Sequence, residues 1–390
     1  MNKKIYLLTI VAFVVGTVEL IIGGILDLVA ADLQVSVGRA GLLISLFSIV
    51  FAVASPILLT ETANMERKKL MIVTLFIFFL GNLIAFWSPN YTILMLSRIV
   101  TAASGSLLVV LAITIASSIS EPAYRGRAIG TIFMGISGSL VLGVPIGLTI
   151  GNAFGWRAPF LLISVLTLLS MVAVAVSLGT IAPKPIISLK DQIRTLKDNK
   201  IWTAQFTSFL FLSGHLTLYA YLTPFLKSEL GMNGTWVSIV YFVFGVAAVL
   251  GGGVGGYLSD KFGPEKSIIG IIALFAVALF VIPHVTFSLP LFLIVLVIWS
   301  ALSWAVTPAQ QNYLVSTAPE TSDIQQSLNN SALHFGIAFG SSVGSVVIEQ
   351  TSVIYNASVG GVFVLIALGT AIFSITRVKP AKRKQLLRSS

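Results

Sequence analysis

Twelve apolar runs of near-spanning length fill this 390-residue chain, at roughly 5–30, 38–59, 70–88, 91–119, 128–151, 158–181, 201–223, 235–258, 266–283, 288–308, 324–348 and 357–377. About twenty helical residues cross a hydrocarbon core of about 30 Å. Inside that core only helices and closed barrels satisfy every backbone polar group, and runs of this length read as helices. The expected fold class is therefore an all-α integral membrane protein with twelve transmembrane helices. Only 10% of the residues are charged, against about 25% in soluble domains. The opening MNKKIYLLTI runs on into a long apolar stretch with no small-residue cleavage site, so it reads as the first span rather than a signal peptide. No cysteine is present, which excludes disulfides, thiolate chemistry and cysteine metal sites.

The net charge of +10 lies in short gaps between the runs, which is an orientation signal in a bilayer and not a nucleic-acid footprint. Placing both termini in the cytoplasm of a cell (plasma) membrane puts twenty Lys and Arg inside, and leaves Arg39, Arg157 and Lys227 outside with Arg98 within a span. The longest gap, Ala182 to Lys200, holds Pro183, Pro185 and five basic residues. It divides the chain into a first six-helix bundle (1–181), a cytoplasmic linker (182–200), a second six-helix bundle (201–378) and a basic tail (379–390).

Within the fifth run, small residues recur at Gly135, Ser139, Gly143, Gly147, Gly151 and Gly155, with Pro145 among them. On a helix this spacing makes one nearly flat ridge. Each glycine would cost a soluble helix about 1 kcal/mol and the proline about 3, whereas a membrane helix uses small residues to bring a neighbour close. The ridge, with Gly143, Pro145, Gly147 and Gly151 at its centre, is expected to be a sliding seam between the two halves. A weaker partner recurs in the eleventh run at Ala332, Gly336, Gly340 and Gly344, offset by 193 residues. The gap TETANMERKK precedes YLSDKFGPEK by 197. Two features at nearly one offset predict duplicated, pseudo-symmetric bundles.

Glu19 lies 14 residues into the first run, about 21 Å from its starting side at 1.5 Å per residue. Arg98 lies seven residues into the fourth run from the opposite side, which brings it to a similar depth. Charges at such depth are costly unless partnered, so the two are expected to pair, and Glu19 to carry a coupling proton. Gly16 and Gly23 on the Glu19 face are expected to leave room before the carboxylate. His215 occupies the matching depth of the seventh run, on one face with Gln205, Ser208, Leu212 and Tyr219. On the tenth run Ser300, Trp304, Thr307 and Gln311 form a second polar stripe. Both stripes are expected to face a central cavity, with Gln205, His215, Tyr219 and Trp304 as substrate contacts and His334 of the eleventh run as another. Asn329 and Asn330 are expected to be hydrated near the inner end. The glycine-rich Gly251–Gly256 follows a span and lacks a phosphate-loop lysine. Asn90-Tyr-Thr92, Asn233-Gly-Thr235 and Asn356-Ala-Ser358 are glycosylation triplets on outer gaps. No paired carboxylates, HExxH or serine–base arrangement is present, so no enzyme is expected. No cofactor and no metal are expected either.

Gly256-Tyr-Leu-Ser-Asp260-Lys261-Phe-Gly263 resembles the cytoplasmic loop signature of the major facilitator superfamily. Gly143-Val-Pro145-Ile-Gly147 and Leu96-Ser-Arg98 resemble motifs of its proton-coupled exporters. The segments Gly16–Leu20, Gly214–Tyr221, Ser303–Gln311 and Ser322–Ser327 are similar to bacterial purine base and ribonucleoside efflux transporters. Two departures stand out: Ala63 and Glu66 replace the aspartate and glycine of the first-half signature, and Asp27 stands where relatives commonly carry proline. The resemblance implies proton-driven antiport of purine bases or nucleosides, with broad multidrug efflux as the alternative. It also implies an inner gate at Gly256, Asp260, Lys261 and Gly263. The partners expected are a small-molecule substrate, protons and the lipid bilayer, with no nucleic acid, for a monomer.

Overall fold

The computed structural model describes residues 3–121, 125–183, 194–318 and 321–377, and every regular element among them is helical. The basic tail from Val378 and the basic residues Lys184 and Lys190 of the linker lie outside the described residues, as do the side chains of Arg125, Arg127 and Asp323. In chain order the helices are α1 (Lys3–Gly24), α2 (Leu26–Asp32), α3 (Val37–Glu61), α4 (Arg67–Phe86), α5 (Tyr91–Ser118), α6 (Arg125–Gly138), α7 (Val144–Phe154) and α8 (Ala158–Ser177). The second half follows as α9 (Asn199–Tyr219), α10 (Leu222–Leu230), α11 (Gly234–Phe262), α12 (Pro264–Val281), α13 (Leu289–Thr317), α14 (Ser322–Gln350) and α15 (Tyr355–Thr376). Among the described residues eleven spans are long and apolar enough to cross a membrane, one of them Gly130–Phe154 built from α6, α7 and the turn between them, and the pair α9–α10, bent by 43°, makes a twelfth when taken as one span.

Several helices begin on side-chain caps. Ser36, Asn90 and Asn233 accept the amides of Arg39, Ile93 and Trp236 at 3.1, 3.0 and 3.0 Å, satisfying donors that have no intrahelical partner. Two of the three glycosylation triplets are thus, in this fold, helix starts.

The small-residue ridge runs along α6 and α7 and packs on α1, within the first half. Gly135 faces Thr9, Gly143 faces Thr17, Gly147 faces Ile21, and a methyl on Gly151 would sit 3.1 Å from Ile25. The expectation of a seam between the halves is corrected here. The halves meet through a different face of the same rod, where a methyl on Gly245 of α11 would lie 2.6 Å from the carbonyl oxygen of Leu140. Gly336, Gly340 and Gly344 of α14 repeat the arrangement on Phe209, Ser213 and Thr217 of α9, so the offset in sequence corresponds to equivalent packing in both halves.

Pro145 also leaves the ridge. It lines an apolar groove of about 280 Å³ with Val141, Ile146 and Phe242. A π-helical turn, Ser139–Gly143, precedes it, and the amide of Val144 donates to Ser139. The wider turn lies just before Pro145, whose ring nitrogen has no amide hydrogen to donate. Gly251 and Gly255 lie against the backbone of Ala301 and Ala305, so that glycine-rich stretch is the close crossing of α11 and α13.

Two apolar cores divide the molecule unequally. One is built only from the first half, from Ile5 to Val18 of α1 with Phe47, Leu108 and Ile132 among others. The other joins Ile21–Val29, Leu43 and Leu148 to the second half, through Phe211, Tyr221, Phe244 and Leu296. The halves therefore share a core at the end far from the chain termini and not at the terminal end.

Candidate functional site

Glu19 and Arg98 sit on α1 and α5 but do not form the expected ion pair. Arg98 Nη1 donates to the carbonyl of Val18 at 2.9 Å, and its guanidinium lies 4.0 Å from the ring centre of Phe47 on α3. Its Nε and Nη2 have no hydrogen-bond partner. The carboxylate of Glu19 instead approaches α14 of the other half, where His334 Nδ1 lies 3.6 Å from Oε1. The reason is rotational: equal depth does not determine azimuth, and Arg98 reaches the backbone of α1 while Glu19 looks across the interface. His334 stacks on Phe51 with ring centres 4.2 Å apart. Gly16 does not leave open space before the carboxylate, since a methyl there would lie 2.6 Å from Ser139 Oγ.

His215 is enclosed by aromatic rings rather than facing an open cavity. Tyr219, Trp299, Phe275 and Phe244 surround it with centroid distances of 5.2, 5.3, 5.7 and 6.2 Å. Within this cluster His215 Nδ1, the Tyr219 hydroxyl and Trp299 Nε1 are buried without a hydrogen-bond partner. Each is a costly group to leave unmet in a buried setting. Trp304, expected here, is only partly buried and lies outside the ring contacts. Five residues of helix turn it about 140° from Trp299. Trp299 carries little sequence signal because it sits in the unbroken apolar run LFLIVLVIWS; its one signal is adjacency to Ser300, whose hydroxyl donates to the Phe244 carbonyl.

Towards the terminal end the stripe of α9 enters an amide network. Gln205 Nε2 donates to the Gln325 carbonyl at 3.1 Å, and Asn329 Nδ2 donates to Gln205 Oε1 and Ser208 Oγ at 3.0 and 2.7 Å. Asn329, expected to be hydrated, is 2% exposed, while Asn330 is exposed. Beside them Thr207, Thr307, Gln310 and Leu333 line a cavity of about 10 Å³, room for about one water.

At the far end Lys227 of α10 binds Asp27 of α2, and Thr223 donates to the carbonyls of Gly23 and Gly24 at 3.1 and 3.0 Å. Glu349 of α14 accepts from Ser36. All three contacts join one half to the other. At the terminal end Asp260 and Lys261 are exposed, and Lys261 Nζ donates to Tyr257 of its own helix at 3.2 Å. Gly256 has nothing within 4 Å of a methyl placed on it, and Gly263 has a φ of 84° that suits a helix end.

The fold can be set beside known proteins. Residues 8–341 match the family model described as Major Facilitator Superfamily. The chain belongs to the major facilitator superfamily. It is 38% identical to the MFS-type transporter YbcL of Bacillus subtilis over 94% of each chain. It is 30% identical to the inner membrane transport protein YdhP of Escherichia coli over 89% of each. A bacterial homologue of the human lysosomal transporter Spinster, in an inward-facing and occupied conformation, superposes with a TM-score of 0.79 at 16% identity, covering 96% of this chain and 98% of that one. The D-xylose-proton symporter gives 0.79 at 15%, covering 96% and 97%; both likenesses speak to the fold. The chain is therefore a membrane-embedded transporter and not an enzyme.

Within this superfamily member the departure at Glu66 has a local purpose. Its carboxylate caps α4 by accepting the amides of Lys68 and Lys69 at 2.9 and 2.8 Å, and it also accepts the amide of Ile181 at 2.7 Å. The amide of Arg67 returns to the Ile181 carbonyl at 3.0 Å. The first-half loop is thereby clasped to the start of the linker. Burial would raise the Glu66 pKa, but the three backbone donors hold it below the ordinary carboxylate value.

Proposed function

We propose that this transporter is a proton-driven exporter of small planar solutes, purine bases or nucleosides, working by alternating access as a monomer in the plasma membrane with both termini cytoplasmic. The observation that carries the reading is Glu19, an acid deep in a spanning helix that faces the other half of the molecule. Bundles at 1–181 and 201–378 would rock about it, with 182–200 as linker. The far-end contacts support a conformation closed outside and open inside. The unmet polar groups around His215 support a planar ligand with hydrogen-bonding edges.

Glu19 takes up a proton from outside, weakening bound solute there, and releases it to the cytoplasm when solute loads. One charge moving through about 100 mV provides about 2.3 kcal/mol, enough for a gradient of about 50-fold. In inverted vesicles, proton-gradient-driven accumulation of labelled hypoxanthine or adenosine is expected, competed by adenine analogues and indifferent to bulky lipophilic cations. Glu19→Gln abolishes uphill accumulation while equal-concentration exchange survives. Uphill transport by Glu19→Gln overturns the coupling role. Transport of lipophilic cations in place of purines points to the multidrug alternative.

A further inference from the structure

Two ionisable side chains face each other across the two halves in the membrane interior, Glu19 of α1 and His334 of α14. His334 Nδ1 is 3.6 Å from Glu19 Oε1, and the side chains are 9% and 17% exposed. The separation is just beyond a hydrogen bond, so a small rotation of either helix makes or breaks one. His334 Nδ1 has no other partner. Stacking on Phe51 limits its ring to a narrow range of orientations.

We infer that Glu19 and His334 share one proton, and that the singly protonated pair ties α1 to α14 in the far-end-closed conformation. This rests on the reading of Glu19 as the proton carrier and adds its partner. With no proton, a carboxylate faces a neutral imidazole, and only one of its two tautomers can donate from Nδ1. With one proton the pair is carboxylate and imidazolium, or acid and imidazole, and either form attracts in a low-dielectric setting. With two, a neutral acid faces an imidazolium that nothing balances. The tie is therefore strongest at one proton, and a second proton or the loss of the first loosens it.

The surroundings leave this exchange to the pair. Arg98, which donates to Val18 beside Glu19, is the other charge at this level, and its positive charge disfavours the doubly protonated state. Arg39 and Glu61, the titratable groups of α3, stand at its ends. On α9, His215 and Tyr219 are enclosed in their own aromatic cluster. Tyr313 of α13 and Tyr355 of α15 lie near helix ends.

The native chain has no cysteine, so spin labels at Thr60→Cys and Ser316→Cys, exposed sites at the terminal ends of α3 and α13, report opening at that end. Double electron–electron resonance on the full chain in nanodiscs from pH 5 to 9 should show a population change with pH. His334→Gln keeps a planar hydrogen-bonding group but cannot bind the proton. It is expected to remove the step or move its midpoint by at least one unit, a change of about tenfold in the conformer ratio. Glu19→Gln should do the same, and the double variant no more than either single. His334→Arg, charged at every pH tested, should hold the closed-far-end population throughout, so the idea stays testable if one variant misfolds. A wild-type midpoint in His334→Gln overturns the shared proton. If Glu19→Gln alone moves it, the pairing is refuted and the carrier reading stands. If both variants share the shifted titration yet Glu19→Gln still concentrates solute, the tie stands and the carrier reading falls.

Discussion

Lys227 of α10 binds the carboxylate of Asp27 on α2, 200 positions away in sequence and in the other half of the molecule. Both side chains are partly exposed, at 33% and 23%, so the pair contributes at most about 1 kcal/mol. That still changes a two-state ratio by up to about fivefold. Asp27→Asn should raise labelling of a single cysteine placed in the far-end mouth, and the exchange Asp27→Lys with Lys227→Asp should restore the wild-type level. Equal labelling in Asp27→Asn and wild type means that the apolar core alone closes this end.

The two glycine contacts of the fifth span separate stability from switching. Gly147→Leu overpacks α7 against Ile21 within one half, at a typical cost of about 1–3 kcal/mol. It should lower the melting temperature while leaving the balance of access unchanged. Gly245→Leu strikes the backbone of Leu140 across the interface and should shift access toward far-end opening. Paired melting and cysteine-labelling measurements test both, and an access shift in Gly147→Leu would return the ridge to the moving seam.

Asp32 gives the far end a pH dependence. Hydrogen bonds from Trp156 at 3.0 Å and Arg157 at 2.6 Å hold its pKa below the ordinary 3.8. A depressed carboxylate contributes stability that is present above its unfolded pKa and lost as pH falls through the folded value. Wild-type stability should therefore drop in this acid range, and the loss should be shallower in Asp32→Asn. Identical slopes in thermal melts from pH 5 to 2.5 would remove Asp32 from the account.

Glu66 combines a helix cap with a tie to the linker. Glu66→Ala removes acceptors for the amides of Lys68, Lys69 and Ile181. Loss of a cap typically costs about 1 kcal/mol, and faster hydrogen exchange is expected at Ile181 and the first turn of α4. Glu66→Asp should recover part of the cap but not the reach to Ile181. Unchanged exchange at Ile181 in Glu66→Ala would separate the clasp from the carboxylate.

The spanning helices, the positive-charge bias, the repeated glycine spacing and the isolated acid at residue 19 were all legible in the chain. Each depends on a property summed along one segment: transfer of apolar residues into lipid, side-chain periodicity, or the cost of a buried charge. What lies opposite a residue depends on how far its helix is rotated and which neighbour it meets, and no single segment carries that. So the depth of Glu19 could be read from its position, but its facing His334 rather than Arg98 came only from tertiary packing. The same holds for Trp299, which packs at His215 while Trp304 turns away, and for the ridge of α7, whose spacing is plain in sequence and whose partner, α1, is not. Segment chemistry decided which elements exist and how deep their polar groups lie; the mutual rotation of helices decided which of those groups meet.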